Sequence, residues 1–362
     1  MLHVPASLVF VILITLLFAA TGSQAVPPDM QALANGIWID RQRLRALPTQ
    51  GPAWDKLRAD ADQPIGSPDL SNQEDPTNVL ILAKALVYAR TGEPAYRDAV
   101  IAGCLAAIGT EAGGESLALG RELMAYVLAA DLVGLPPEQD AVFRVWLDTV
   151  LDEKMLEGRT LRQTHEQRPN NWGTMAGASR LAVAAYLGDA AEFAQAAIVF
   201  KGFLGDRTSH AAFRYGDLAW QADPANPVGI NPRGATREGH SIDGVIPDDQ
   251  RRGGGFTWPP PKENYVYESL QGALAQAVIL QRAGYPVLDW EDKALLRAYQ
   301  WLHEQAGYPA EGDDTWQPHL VNAVYQTAFP VVTPSRTGKN VGYTDWSHAS
   351  LPAPQGLRIN QP

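Results

Sequence analysis

The chain has 362 residues, with 29 basic and 40 acidic side chains and a formal net charge of −11. That balance excludes a nucleic-acid binder, which needs a basic patch to displace counterions, and 46% hydrophobic residues exclude a disordered chain. The single cysteine, Cys104, excludes an intrachain disulfide and a cysteine-rich zinc site; a chain of this length builds its core without such staples.

Residues 8–20 form an apolar run broken only by Thr15. The run is shorter than the roughly 20 residues that span a bilayer. It ends in Thr21-Gly22-Ser23-Gln24-Ala25, where small residues suit signal cleavage. Residues 1–25 are therefore expected to be a signal peptide, although the segment before the run carries His3 and no Lys or Arg. Residues 26–362 are expected to form one domain, secreted or periplasmic and free of the membrane after cleavage.

Helical periodicity then recurs. Residues 78–89 place Val79, Leu82 and Leu86 on one face, between an Asp75-Pro76-Thr77 start and a stop at Gly92. Further helices are predicted over 94–108, 115–133, 136–150, 171–187, 190–204, 265–282 and 290–305, with a short one at 318–329. Short Gly/Pro connectors between helices of this length predict stacked antiparallel hairpins. The expected fold is all-α, a single (α/α) toroid. Residues 205–262 and 307–362 break the pattern, and loops this long in a compact domain are usually functional or disordered; the aromatics of 205–262 argue against disorder there.

Four clusters carry the candidate chemistry. Arg168-Pro169-Asn170-Asn171-Trp172 opens the helix at 171. One asparagine is a natural N-cap; the other, with Arg168, makes an anion site at a helix N-terminus. Arg237-Glu238-Gly239-His240 sets a histidine in a glycine-flanked loop, and Asp248-Asp249-Gln250-Arg251-Arg252 follows it. The fourth cluster, Tyr265-Val266-Tyr267-Glu268, begins another helix. Across 233–262 the bases Arg233, Arg237, Arg251, Arg252 and Lys262 offset Glu238, Asp243, Asp248 and Asp249, so the global charge does not describe this loop. Trp172, Trp220, Trp258 and Trp346 are candidates for stacking on sugar rings.

These segments resemble the alginate lyase-like polysaccharide lyases with an (α/α) toroid, a group that includes alginate and glucuronan lyases. Alginate lyases carry Asn-Asn-His at the helix start where this chain has Asn170-Asn171-Trp172. Their Tyr-His-x-Tyr-x-Leu pattern is matched by Tyr265, five residues before Leu270, with Glu268 at the second tyrosine and Tyr267 offset by one. Residues 338–348 resemble a closing segment of the group, and the likeness spans most of 70–350. The chain departs from the alginate-lyase pattern at Trp172, where histidine is expected, and at Trp258, where arginine is expected. His240 and Arg251 or Arg252 would supply those functions from the preceding loop, as in the glucuronan-lyase branch.

The resemblance implies cleavage of a 1,4-linked uronic-acid polysaccharide, of the alginate, polymannuronate or glucuronan type. The reaction is β-elimination, leaving 4,5-unsaturated uronate ends. The implied catalytic residues are Asn171, His240, Tyr265 and Arg252; the implied substrate-binding residues are Asn170, Arg168, Trp172, Arg237, Arg251, Tyr267 and Trp258. Asn171 stabilises charge on the uronate carboxylate. In an anti elimination His240 is the base and Tyr265 the acid; in a syn elimination Tyr265 does both. No cofactor and no metal are implied, the partner is the acidic polysaccharide, and a monomer is expected. Two other readings compete: a toroid glycoside hydrolase using carboxylates among Glu238, Asp243, Asp248 and Asp249, and an exported polysaccharide-binding protein without catalysis, suggested by Trp172.

Overall fold

The computed structural model describes residues 29–348. The expected signal peptide at 1–25 lies outside the described residues, as do 349–362. Fifteen α-helices occur among the described residues. The first three, α1 (Met30–Ala34), α2 (Arg41–Ala46) and α3 (Pro52–Asp62), fall where no helix was predicted. Then come α4 (Thr77–Thr91), α5 (Pro94–Ala107), α6 (Ser116–Val133), α7 (Pro137–Val150) and α8 (Leu161–Gln167). Next are α9 (Asn171–Leu187), α10 (Ala190–Leu204), α11 (Pro247–Gln250) and α12 (Tyr265–Arg282). The last are α13 (Trp290–Gln300), α14 (Gln317–Tyr325) and α15 (Thr344–Ser347). The two strands, β1 (Thr236–Arg237) and β2 (His240–Ser241), form one antiparallel hairpin.

Composition sorts the helices into two rings. The sequences of α4, α6, α9 and α12 are apolar on nearly every side, and such helices are stable only when surrounded. In α6 every residue but Asp131 is buried. These four pack side by side in the order α4, α6, α9, α12. The outer helices bury one stripe only: α7 turns Phe143, Trp146, Leu147 and Val150 inward and leaves Val142 and Val145 exposed. Outer α3 and α5 flank α4, and outer α10 packs on α9 and α13. Left-handed glycines, Gly92 (φ 76°) and Gly188 (φ 74°), end α4 and α9 at the predicted stops.

Residues 338–348 close the ring. The Lys339 amide donates to Gln271 Oε1 of α12 at 2.8 Å, and its carbonyl accepts from Asn78 Nδ2 of α4 at 2.8 Å. Beyond it, the Tyr343 hydroxyl reaches Asp60 of α3 at 3.2 Å, and Trp346 packs on Trp54 at 5.5 Å. The result is the all-α toroid expected from the sequence, made of antiparallel hairpins around α4, α6, α9 and α12.

Two predicted helices end early. The helix predicted over 290–305 gives way at residue 301 to a wider π turn, and Glu291, Asp292 and Lys293 near its start have positive φ. The helix predicted over 318–329 stops at Tyr325, where Gln326 turns left-handed. No helix among the described residues is long and apolar enough to cross a membrane.

Candidate active site

The N-termini of the four inner helices meet at one end of the ring. Asn78 near the start of α4 donates to the Arg121 carbonyl of α6 at 3.5 Å. The Arg121 guanidinium pairs with Glu268 of α12, and Asn171 of α9 donates to the same Glu268 carboxylate at 3.3 Å. Helix N-termini carry partial positive charge, so this end of the ring favours anions although the chain as a whole is acidic.

At the start of α9 the two asparagines divide the work. Asn170 is the N-cap: its side-chain oxygen accepts from the Trp172 amide at 3.2 Å, and its Nδ2 donates to Asp248 at 2.8 Å. Asn171 follows as the first helical residue and is 0% exposed, with its amide nitrogen turned to Glu268. Its Oδ1 is buried without a partner. A carboxylate held by an arginine only accepts, so the side chain must present nitrogen to it. Neither asparagine therefore stands on the surface as an expected donor to substrate; both have been used to join α9 to its neighbours. Gly173 allows the backbone of Arg168 to fold back onto the first turn of α9, where any Cβ would collide with the Arg168 carbonyl.

That fold-back presents Arg168. Its guanidinium lies 4.4 Å from the Trp172 ring, a cation–π contact, and its Nε is buried without a partner. Burial, with Arg159 and Arg252 nearby, pulls this guanidinium below its usual value. Positive charges gathered beside a half-buried guanidinium mark a place for an anion.

The long loop before α12 is ordered by a pair of acids. Asp248 accepts from Arg251 Nε and from the Gly216 amide, each at 2.8 Å. Asp249 is fully buried and accepts from the Asn171 amide at 3.1 Å. Burial, with Asp248 beside it, pushes the Asp249 carboxyl well above the usual range. Arg251, expected to bind substrate, is thereby a loop anchor. Its neighbour Arg252 is exposed and lies over the Tyr265 ring, 3.9 Å from the centroid. Tyr265 is 39% exposed at the first position of α12.

His240 sits elsewhere on the loop. Its ring stacks on Trp258 at 4.4 Å and 9°, and Arg237, its partner across the β1–β2 ladder, packs over Phe256 at 5.5 Å. Arg237 also donates to the Gln221 carbonyl at 3.2 Å. Two groups of predicted residues thus form: Arg168, Trp172, Arg252 and Tyr265 at the helix starts, and Arg237, His240 and Trp258 on the loop.

Tyr267 does not join either group. It is fully buried, and its hydroxyl donates to the Tyr308 carbonyl at 2.5 Å, so it is a packing residue. Trp220 and Trp346, named as stacking candidates, are core residues as well. The sequence reading passed over Arg121 and Glu122. Their signal was present: an Arg-Glu pair inside the apolar run of α6 is costly to bury without partners. No group of three or more His, Cys, Asp or Glu among the described residues could hold a metal ion.

Residues 104–222 match the family model described as alginate lyase. In solved structures the chain is similar to alginate lyase A1-III from Sphingomonas species A1. The match has 13% identity and a TM-score of 0.53, and covers 90% of this chain and 97% of that one. It is also similar to a histidine-to-alanine variant of A1-III complexed with a tetrasaccharide, at 13% identity, TM-score 0.54, and 92% and 100% coverage. The chain has the fold of these alginate lyases over nine-tenths of its length, and its family match is confined to residues 104–222. No curated protein matches it significantly in sequence.

Three of the four carboxylates that a hydrolase would need are taken up in structural contacts. Asp243 pairs with Arg297 at 2.5 Å and accepts from the Gly234 amide. Glu238 lies with Gly239 in the β1–β2 turn, both at positive φ. Asp248 and Asp249 hold the loop to α9 as described. Hydrolysis requires an acid and a base facing one bond across open space, and of these four only Glu238 is exposed without a bonded partner.

Proposed function

We propose that this protein is a polysaccharide lyase that cleaves a 4-linked uronate in an acidic polysaccharide, of the alginate, polymannuronate or glucuronan type, by β-elimination. The observation that carries the proposal is the exposed Tyr265 with Arg252 across its ring, beside the N-terminus of α9. The C5 proton of a uronate is poorly acidic while the adjacent carboxylate keeps its charge. Arg252 and Arg168 are the donors for that carboxylate, reinforced by the helix N-terminus.

The Arg252 contact favours the syn course. A positive charge at the ring stabilises negative charge on the phenolic oxygen. That oxygen takes the C5 proton, the C5–H electron pair becomes the C4–C5 double bond, and the C4–O4 bond breaks. The same oxygen then returns the proton to O4. His240 and Trp258 provide a flat platform at the loop for an adjacent sugar ring. The apolar segment before Ala25 supports export of the mature chain.

The test is ultraviolet absorbance of the conjugated product, screened over alginate, polymannuronate, glucuronan, hyaluronan and pectate. Cleavage that gives reducing ends without that absorbance would overturn elimination.

A further inference from the structure

Arg121 lies in the second turn of the apolar α6 and is only 3% exposed. A guanidinium in such a place is costly unless its charge is matched. Arg121 pairs with Glu268 of α12 on one side and with Glu74, before α4, at 3.5 Å on the other. Glu74 is exposed and is shared with Lys339, so the buried partner of Arg121 is Glu268.

Glu268 is joined to Tyr265 by two routes. Along α12 they are i and i+3 neighbours, one turn apart on the same face. The second route runs through α9. The Asn171 side chain donates to Glu268 at 3.3 Å, while its backbone amide donates to Asp249 at 3.1 Å. Asp249 stands three residues before Arg252, and Arg252 covers the Tyr265 ring. These contacts close on themselves, and Arg121 ties the circuit to α6.

The other charges near the circuit are matched or suppressed. Glu263 accepts from the Tyr265 amide at 3.1 Å, and Lys339 balances Glu74. Burial pushes the carboxyls of Glu122, Asp249 and Asp314 well above the usual range. Without Arg121, Glu268 would set an unbalanced negative charge one turn from Tyr265. Such a charge opposes the negative phenolic oxygen that proton abstraction requires.

We infer that Arg121 is a positioning residue for the elimination: by holding Glu268 it balances that carboxylate and fixes the first turn of α12, which sets Tyr265 against Arg252. The inference rests on the lyase reading, in which Tyr265 moves the proton, and adds to it a buried residue that acts through another.

The experiment is a proton titration of Tyr265 in the full chain, labelled with carbon-13 at the tyrosine ζ position and followed by nuclear magnetic resonance. Tyr265→Phe identifies the signal. Arg121→Met leaves Glu268 unbalanced and is expected to raise the midpoint by about half a pH unit or more. Glu268→Gln leaves Arg121 unbalanced and is expected to lower it by a similar amount, roughly half a unit. The double variant removes both charges and is expected to return to within about 0.2 unit of the parent, so the test survives if Arg121→Met alone does not fold. In turnover, Arg121→Met is expected to lose about tenfold in kcat with little change in KM, and its pH–rate profile should move with the midpoint. Lower melting temperatures with equal midpoints in all four proteins would make Arg121 a structural residue and overturn the inference. Shifts of the same sign in both single variants would overturn it as well. The titration needs no substrate. A wild-type chain that fails to eliminate would therefore count against the lyase chemistry, while the signs of the shifts still decide whether Arg121 governs Tyr265.

Discussion

The Arg252 guanidinium lies across the face of the Tyr265 ring, 3.9 Å from its centroid, and the two residues come from different elements. Arg252 lies in the tight turn after α11, in the loop that Asp248 and Asp249 dock onto α9, and Tyr265 begins α12. The contact exists because both elements pack at the N-terminal end of the inner ring, and it joins a phenol to a cation at the anion-favouring end of the toroid.

Replacing Tyr265 with Phe removes the hydroxyl proposed to move the proton and leaves the ring packing intact. Turnover, read as product absorbance, is expected to fall about 10²–10⁴-fold with an unchanged melting temperature. Near-normal turnover would remove Tyr265 from the mechanism.

Arg252→Ala removes the charge beside the phenol and a proposed donor for the uronate carboxylate. Its kcat is expected to fall about 10²–10³-fold, the usual cost of one charge-stabilising donor. Arg252→Lys keeps the charge without the planar fork and is expected to recover only part of this. A change in KM alone would make Arg252 a binding residue.

His240 separates the two courses of elimination. With Tyr265 acting alone, His240→Ala removes only the stacked pair with Trp258, so KM is expected to rise while kcat stays within about tenfold. A kcat loss of several orders of magnitude would restore His240 as the base of an anti elimination.

Asn171→Ala is expected to lower stability by about 1–3 kcal/mol, because Glu268 loses a buried donor. Denaturant unfolding measures this. Unchanged stability with a large loss of kcat would instead return Asn171 to the substrate carboxylate.

Acid sensitivity has a specific source in the closing segment. Burial, with Arg43 and Arg282 nearby, holds His348 down at about 3, whereas an unfolded histidine titrates near 6.5. Between those values the unfolded chain takes up a proton that the fold refuses. This contribution is therefore fully present above about pH 6.5 and is lost progressively as pH falls toward 3. His165 shifts in the same direction through burial. The variant His348→Gln should show a shallower loss of unfolding free energy between pH 6 and 4 than the parent; an identical slope would refute the assignment.

Helix positions were legible in the sequence because their signals are local. Apolar runs between Gly and Pro punctuation placed α9, α10 and α12 at their observed bounds and put the start of α9 beside a candidate anion site. The residues of the site were only partly legible, because hydrogen-bond partners come from distant segments. Asn170 and Asn171 read alike in sequence. In the fold, Asp248, Asp249 and Glu268 consume them, and Arg168 is left to face an anion. Tyr265 and Tyr267 also read alike. Two steps along a helix rotate a side chain by about 200°, so once packing points one into the core the other faces solvent. Composition and periodicity determined that this chain would build a ring of helices. Which polar groups remain unspent at the end of that ring was decided by tertiary contacts, since a donor or acceptor is free only when no neighbour has claimed it.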